Sequence, residues 1–319
     1  MRLLRPGPTE AEAGLRAMHQ LAMARGEIGA ASRALIAAAQ RHVLHTDFDI
    51  DGLRPIAADE LAAAFRDPAL ARQFVQGMTV VSLADGPPTE AQGRLMTSYA
   101  RALGVDEPAV RVMNELANHH TVLFKLDFMR RSHLADMFKG AVHRDGFLAT
   151  ARSFAAFRGL REDPAVAARY KALGQLPKDT LGYAFWQHCS ENGFAFPGEP
   201  FGFPEAGVYH DFTHVLSGYS TEPSGEVQIG GFTAGYKKHT PIFVILFVML
   251  TFSAGTNVTP VEQPVSFSIL VQDGLADGFF TAVERGSRVP IDLSDGWGHW
   301  AWVEKPLAQA RAELNITPL

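Results

Sequence analysis

Cysteine is nearly absent: Cys189 is the one thiol in 319 residues. No disulfide can form within the chain, and a reducing, cytoplasmic setting suits it. The thiol falls in Phe185-Trp-Gln-His-Cys189-Ser190, on an expected helix, where a buried, inert sulfur is a better reading than a nucleophile. Excess charge of one sign is also lacking. Lys and Arg number 29 against 34 Asp and Glu, for a net charge of -5 and a pI near 6.2. That balance excludes a global basic footprint, so nucleic acid is not an expected partner. There is no long apolar run. The strongest, Pro241 to Ala254, has fourteen residues and as a helix would rise about 21 Å, short of the roughly 30 Å hydrocarbon core of a bilayer. It reads as a core helix, or else as the wall of a lipid pocket or a segment dipping into one leaflet, with Lys237, Lys238 and His239 just before it. An exposed apolar segment near Phe243 would favour a homodimer or a membrane face. Met1 to Pro8 carries no apolar region or cleavage pattern, so no signal peptide is expected. Among 29 glycines no dinucleotide fingerprint follows a convincing strand, and neither a phosphate loop nor a nucleophile elbow is present.

What is present is an ordinary globular balance, 47% hydrophobic and 20% charged, in a chain long enough for two domains. The first 130 or so residues are Ala-rich with apolar positions at helical spacing, as in Ala30 to Val43, Leu61 to Phe65 and Leu70 to Leu83. Thr9-Glu-Ala-Glu12 and Thr89-Glu-Ala-Gln92 have the capping-box form that announces a helix start. Asp47 to Gly52, Arg66-Asp-Pro68, Asp85-Gly-Pro-Pro88 and Gly104 to Pro108 punctuate the helices. The expected fold is all-α, two helical domains with little or no β-structure. The boundary falls between residues 125 and 160 and is placed at 135/136, with no Ser/Gly linker to mark it. Gly255 to Pro264 is turn-rich, and Phe267 to Val271 is the best short-strand reading, though a helix also fits.

The chemistry concentrates between residues 210 and 226. His210-Asp-Phe-Thr-His214 places two imidazoles four apart, one turn apart on one helix face. That helix is expected to stop near Gly218, and a second to start around Thr221 to Pro223, since Pro suits a first turn. If the two fold back as a hairpin, Glu226 comes level with His214. Asp211 can serve as a ligand or hold an imidazole in one tautomer. Two imidazoles with one or two carboxylates suit a divalent metal, zinc first, with iron or manganese where positions stay open. Gly230 and Gly231 follow one turn on and can keep space open opposite His210. A second acidic stretch, Asp47-Phe-Asp49-Ile-Asp51-Gly52, matches the opening half of a calcium loop, but its twelfth position is Ala58 where a bidentate Glu is needed. A solvated, helix-capping loop is expected there.

Two resemblances add to this. From about Ala30 to His120 the chain resembles the tellurite-resistance protein B-like domain, on Val80-Val-Ser-Leu-Ala-Asp85-Gly86, Glu90, and Leu95 through Leu103-Gly104-Val105. That implies a compact helical module, residues 1–135, whose acidic loops can bind a divalent ion. From about Tyr170 to the end, within residues 136–319, it resembles the coenzyme Q biosynthesis protein 4 family. The resemblance rests on Leu176-Pro-Lys-Asp-Thr-Leu-Gly182, on His210-Asp-Phe-Thr-His214 through Gly225-Glu226, on Gly231-Phe-Thr-Ala234, and on Trp302-Val-Glu-Lys-Pro306 with Arg311-Ala-Glu-Leu-Asn-Ile.

This second resemblance implies an all-helical fold with a metal held by His210, Asp211, His214 and Glu226, which would also be the catalytic residues. It implies ubiquinone biosynthesis, peripheral on the inner face of a membrane, acting on prenylated benzoate-type precursors. The implied activity is oxidative removal of the ring carboxylate and its replacement by hydroxyl, alongside other ubiquinone-biosynthesis proteins as partners. Phe212-Thr213 occupy the family's variable positions and are expected to shape the pocket. Phe243 to Phe252, and Phe194-Ala-Phe196 through Phe203, read first as core and, in the alternative, as the lining of a channel for a prenyl tail. The alternatives are a non-catalytic prenyl-lipid-binding scaffold with a structural metal, and a metal-sensing or stress-response module that would require ion binding at Asp47, Asp49, Asp51 or Asp85.

Overall fold

A computed structural model of the chain describes residues 1–259 and 264–319. The protein is all-helical, with sixteen α-helices among the described residues and no sheet there, only two isolated β-bridges. In chain order, α1 is Pro8–Met23, α2 Ala30–Ala39, α3 Ala58–Ala64, α4 Pro68–Val81, α5 Glu90–Ala102, α6 Pro108–Ala117 and α7 Thr121–Arg131. Then come α8 His133–Asp145, α9 Phe147–Phe157, α10 Pro164–Lys171, α11 Leu181–Asn192, α12 Tyr209–Ser217 and α13 Pro223–Tyr236. The last three are α14 Ile242–Phe252, α15 Leu275–Ser287 and α16 Leu307–Glu313. Two compact units result: the first holds Met1–Ser132 and Thr240–Glu284, the second His133–His239 and Arg285–Leu319. The first break comes three residues before the 135/136 placement, and the stretch around α14 and most of α15 returns to the first unit. Of the turn-rich stretch Gly255 to Pro264, residues 260–263 lie outside the described residues.

Helix starts in the first unit follow local chemistry. The Asp67 carboxylate accepts from the Ala69 amide at 2.8 Å ahead of Pro68, and Thr89 with Gln92 closes a reciprocal capping box on α5. The expected box at Thr9 does not form: α1 begins at Pro8 behind Gly7, with no side-chain cap. Proline's fixed φ takes the first helical position and leaves Thr9 already inside the turn. The α2 N-terminus is capped from far along the chain. The Asp85 carboxylate accepts from the Ala31 and Ser32 amides at 3.0 and 3.1 Å. Gly29 makes room for it, since a Cβ there would lie 2.2 Å from the Asp85 carboxyl. In the acidic loop, Asp51 pairs with both terminal nitrogens of Arg33 at 2.7 and 3.0 Å, and Asp49 accepts from the Asp51 amide at 3.2 Å.

Helix α14 is a core helix, with nine of its eleven residues buried. Phe243 is among them, so no exposed apolar segment is found there. Phe267 makes a single bridge to Ala254, and Ile269–Val271 is one 3₁₀ turn rather than a strand. Beyond Ala39 the chain continues α2 as a π turn, Gln40–Leu44, before His45 turns left-handed. Around that turn the first unit leaves an almost wholly apolar cavity of about 130 Å³.

In the second unit, Phe212 stacks on Phe185 with centroids 4.3 Å apart and meets Trp297 edge-on at 5.5 Å. Tyr170 is buried beside them, its hydroxyl 3.0 Å from His299 Nε2. The segments 176–182 and 302–306 lie side by side. The amides of Leu181 and Gly182 each donate at 2.8 Å to the carbonyls of Lys305 and Val303. This packing fixes α11 and α12, the two helices that carry the histidines described next.

Candidate metal centre

Helix α12 ends where the sequence expects it. Gly218 is left-handed at φ 86°, its amide donating to the His214 carbonyl, and Pro223 opens α13 five residues later. The last carbonyls of α12 are not left to water. Arg311 donates to Leu216 and Val215, each at 2.9 Å, and Arg285 donates to Ser217 at 3.0 Å. Two guanidinium groups therefore pin the end of the helix that carries both imidazoles and oppose its negative pole.

Across the Gly218 turn, His210, His214 and Glu226 converge, the one group among the described residues arranged to hold a metal ion. The Nε2 atoms of the two histidines are 3.3 Å apart. Glu226 places Oε2 3.4 Å from His210 Nε2 and Oε1 3.2 Å from His214 Nε2. Three ligands about 2.0–2.1 Å from a common tetrahedral centre would be separated by about 3.3–3.4 Å. The two Nε2 atoms lie at that edge length, and each has its own Glu226 oxygen at nearly the same distance. On the far side of the ring, His214 Nδ1 is 3.0 Å from the Tyr219 carbonyl. A carbonyl only accepts, so Nδ1 carries a proton and Nε2 is the nitrogen turned toward the cluster.

The charges answer to that geometry. Burial alone would lower the His210 pKa, but the charge and hydrogen bond of Glu226, with the Asp211 charge, raise it to about 9. Burial would raise Glu226; His210 and His214 overcome it and hold the carboxyl down at about 2. Without metal the pair is thus an imidazolium–carboxylate pair. Glu226 also stands in the first turn of α13, where the helix dipole favours negative charge.

Asp211 does not join the three. Neighbouring residues on a helix project about 100° apart, so Asp211 leaves the face that His210 and His214 share. Burial raises its pKa against the pull of both histidines, and it makes no hydrogen bond or ion pair with a described residue. Its charge is felt by Cys189 and Tyr170 as well as by His210. Cys189 is buried, and burial pushes the thiol up, so it is no nucleophile. Phe212 and Thr213 face the core: Phe212 is fully buried, and the Thr213 hydroxyl donates to the Tyr209 carbonyl at 2.7 Å. Gly230 and Gly231 lie buried inside α13.

The surroundings hold residues that sequence spacing did not bring forward. His188 of α11 stacks on His214, centroids 5.6 Å apart and planes 21° apart, and Phe194 packs edge-on against it. Burial, with the nearby charges of His214 and His210, lowers its pKa to about 4, so the ring is neutral. Its buried Nε2 has no hydrogen-bond partner. Phe203 stacks on His210 at 6.1 Å; of the expected tail-lining phenylalanines, Phe196 is buried while Phe194 and Phe201 are exposed. Gly207 admits the Phe203 ring, because a Cβ would fall 2.1 Å from it. The triad is therefore walled by aromatic rings, and the side chains of His210 and Glu226 remain 33% and 22% exposed. No family model matches the chain, and no curated protein does.

Proposed function

We propose that the second unit is a metal-dependent enzyme of ubiquinone biosynthesis that replaces the ring carboxylate of a prenylated benzoate-type precursor by hydroxyl. One observation carries the metal: the two Nε2 atoms of His210 and His214 lie 3.3 Å apart and each has an oxygen of the Glu226 carboxylate within 3.4 Å. Zinc is proposed ahead of iron or manganese because two imidazoles with one carboxylate are a donor set that suits it. The substrate reading rests on the resemblance of residues 170–319 to the coenzyme Q biosynthesis protein 4 family.

A metal held there supplies Lewis acidity toward a substrate carboxylate or phenolate. The chain's own residues set the rest. Tyr219 fixes the His214 tautomer, and the exposed flank of His210 and Glu226 leaves a route for the substrate. Phe203 and the His188–Phe194 pair offer flat apolar walls to an aromatic ring. The ring–carboxylate bond breaks to release carbon dioxide and a ring–oxygen bond forms. The two electrons given up pass to dioxygen, which leaves as hydrogen peroxide, while water supplies the ring oxygen and its protons balance the peroxide.

The test uses the full-length protein reconstituted with zinc and a prenylated hydroxybenzoate labelled at the carboxyl carbon. Metal-dependent release of labelled carbon dioxide is expected, lost in a folded Glu226→Gln variant whose metal content is measured in parallel. Metal-loaded, folded protein that releases none overturns the catalytic reading. It leaves a prenyl-lipid-binding scaffold with a structural metal, which would still bind the prenylated precursor.

A further inference from the structure

We propose that the cavity of the first unit is a binding site for an uncharged hydrocarbon group of about six carbons, a small ring or the end of a longer chain. This is independent of the metal centre. The walls draw on faces of five helices: Ala11, Gly14 and Met18 of α1; Ile36 and Ala39 of α2; Phe74, Gly77 and Val80 of α4; Ile242 and Ile245 of α14; Phe279 and Val283 of α15. Those spacings of three, four and seven are the faces that close-packed helices turn toward one another. Small side chains stand where larger ones would fill the space. A Cβ on Gly77 would meet only the flexible end of Met18, at 2.8 Å, so a bulkier residue is not barred by backbone.

Protein interiors close such voids, and one of about 130 Å³ matches a cavity that takes benzene. The lining selects the ligand's charge. Its polar members are Glu10, Gln73 and Gln76, and no Lys, Arg or His lines it. A fatty carboxylate or a phosphate would find one side-chain carboxylate and no basic side chain. Gln76 is already committed, donating to Glu107 at 3.0 Å.

Two features supply adaptability and entry. The π turn Gln40–Leu44 contributes Val43 and Leu44 to the wall, and such turns recur where a helix is shaped for a ligand. Another wall is not helical at all. Met1, Leu3 and Pro6 precede α1 and are held across to α4 through Gln73, which accepts from the Leu4 amide at 2.6 Å and donates to its carbonyl at 2.8 Å. Breaking that amide pair opens the wall without melting a helix.

The experiment is calorimetric titration and thermal unfolding of the full-length protein with toluene, 1-dodecanol and dodecanoate. Toluene is expected to bind one per chain and to raise the unfolding temperature. Ala39→Phe fills the space and is expected to weaken binding at least tenfold; Val80→Phe does so from another wall if the first variant misfolds, circular dichroism reporting on both. His214→Ala is expected to bind as the parent does, which separates this site from the metal centre. If dodecanol displaces toluene, the ligand is a chain end of a lipid; if it does not, the ligand is a small free hydrocarbon. No saturable toluene binding, or unchanged binding in both folded, filled variants, overturns the site. Dodecanoate competing as well as dodecanol overturns the selection for an uncharged ligand.

Discussion

Two acidic regions of this chain have the look of ion sites in sequence, and they come to opposite ends. In the first unit, Asp51 is matched by Arg33 and Asp85 is spent on two backbone amides of α2. In the second, Glu226 meets two imidazoles whose Nε2 atoms converge with its own oxygens. The difference is not acidity but what stands opposite. A guanidinium or a helix N-terminus meets a carboxylate with donors and positive charge, which disfavour a cation, whereas an imidazole can give up its proton and become a ligand. Ligand-like spacing becomes a site only where the partners are themselves ligands and a turn brings them to one point.

The comparison is broken most severely at the convergence point. Glu226→Gln or His214→Ala is expected to weaken zinc binding by at least about a hundredfold, beyond the 10–100-fold typical of residues that only support a ligand. Competition with a chelator, on variants shown by circular dichroism to be folded, measures this. Retention of parental affinity in both would place the metal elsewhere.

Proton competition comes next. His210 holds its proton up to about pH 9, while Glu226 stays ionised down to about pH 2. A metal must displace the His210 proton, so apparent zinc affinity should fall about tenfold per unit below pH 9, roughly a hundredfold from pH 8 to 6. The metal-free chain should show the reverse trend above neutrality. A raised imidazole pKa stabilises fully below its ordinary value of 6.5 and is lost as pH rises through about 9. A depressed carboxyl pKa stabilises above its ordinary 4.5 and is lost toward about 2. Unfolding temperature of the metal-free protein should therefore be highest, as far as this pair decides it, between about pH 4.5 and 6.5. A flat profile of zinc affinity between pH 8 and 6 would mean that His210 is not a ligand.

How much of this was legible in the sequence depends on distance along the chain. The α12–turn–α13 hairpin was readable because Gly218 and Pro223 are local signals, and His210, His214 and Glu226 all fall within it. Asp211 was the expectation that geometry did not bring in, since one residue's step on a helix turns the side chain away. His188, Arg285 and Arg311 were not readable as parts of the site. Arg285 and Arg311 reach α12 across 68 to 96 residues of sequence, and His188 comes to His214 by the packing of α11. The return of α14 to the first unit was equally hidden, because a core helix carries no mark of which core it completes. The π turn after Ala39 and its cavity had no sequence signal of their own.

Smaller effects test the other half of the comparison. Asp85→Ala removes the acceptor for two amides of α2 and is expected to cost about 1–2 kcal/mol in denaturant unfolding, with zinc stoichiometry unchanged. Loss of metal in that variant would mean that Asp85 is a ligand rather than a cap. Asp51→Asn should be smaller still. Its partner Arg33 is exposed and the carboxylate fully so, and such pairs contribute little. No shift of unfolding temperature and no change in calcium or zinc binding is expected; a calcium affinity lost with Asp51 would revive the acidic loop as an ion site.

The most direct measurement is elemental analysis of the purified full-length protein after zinc reconstitution and exhaustive dialysis, beside the Glu226→Gln variant treated identically. About one zinc per chain in the parent and none in the folded variant is the expected result. No retained metal in the parent, or equal retention in both, would contradict a metal centre at His210, His214 and Glu226.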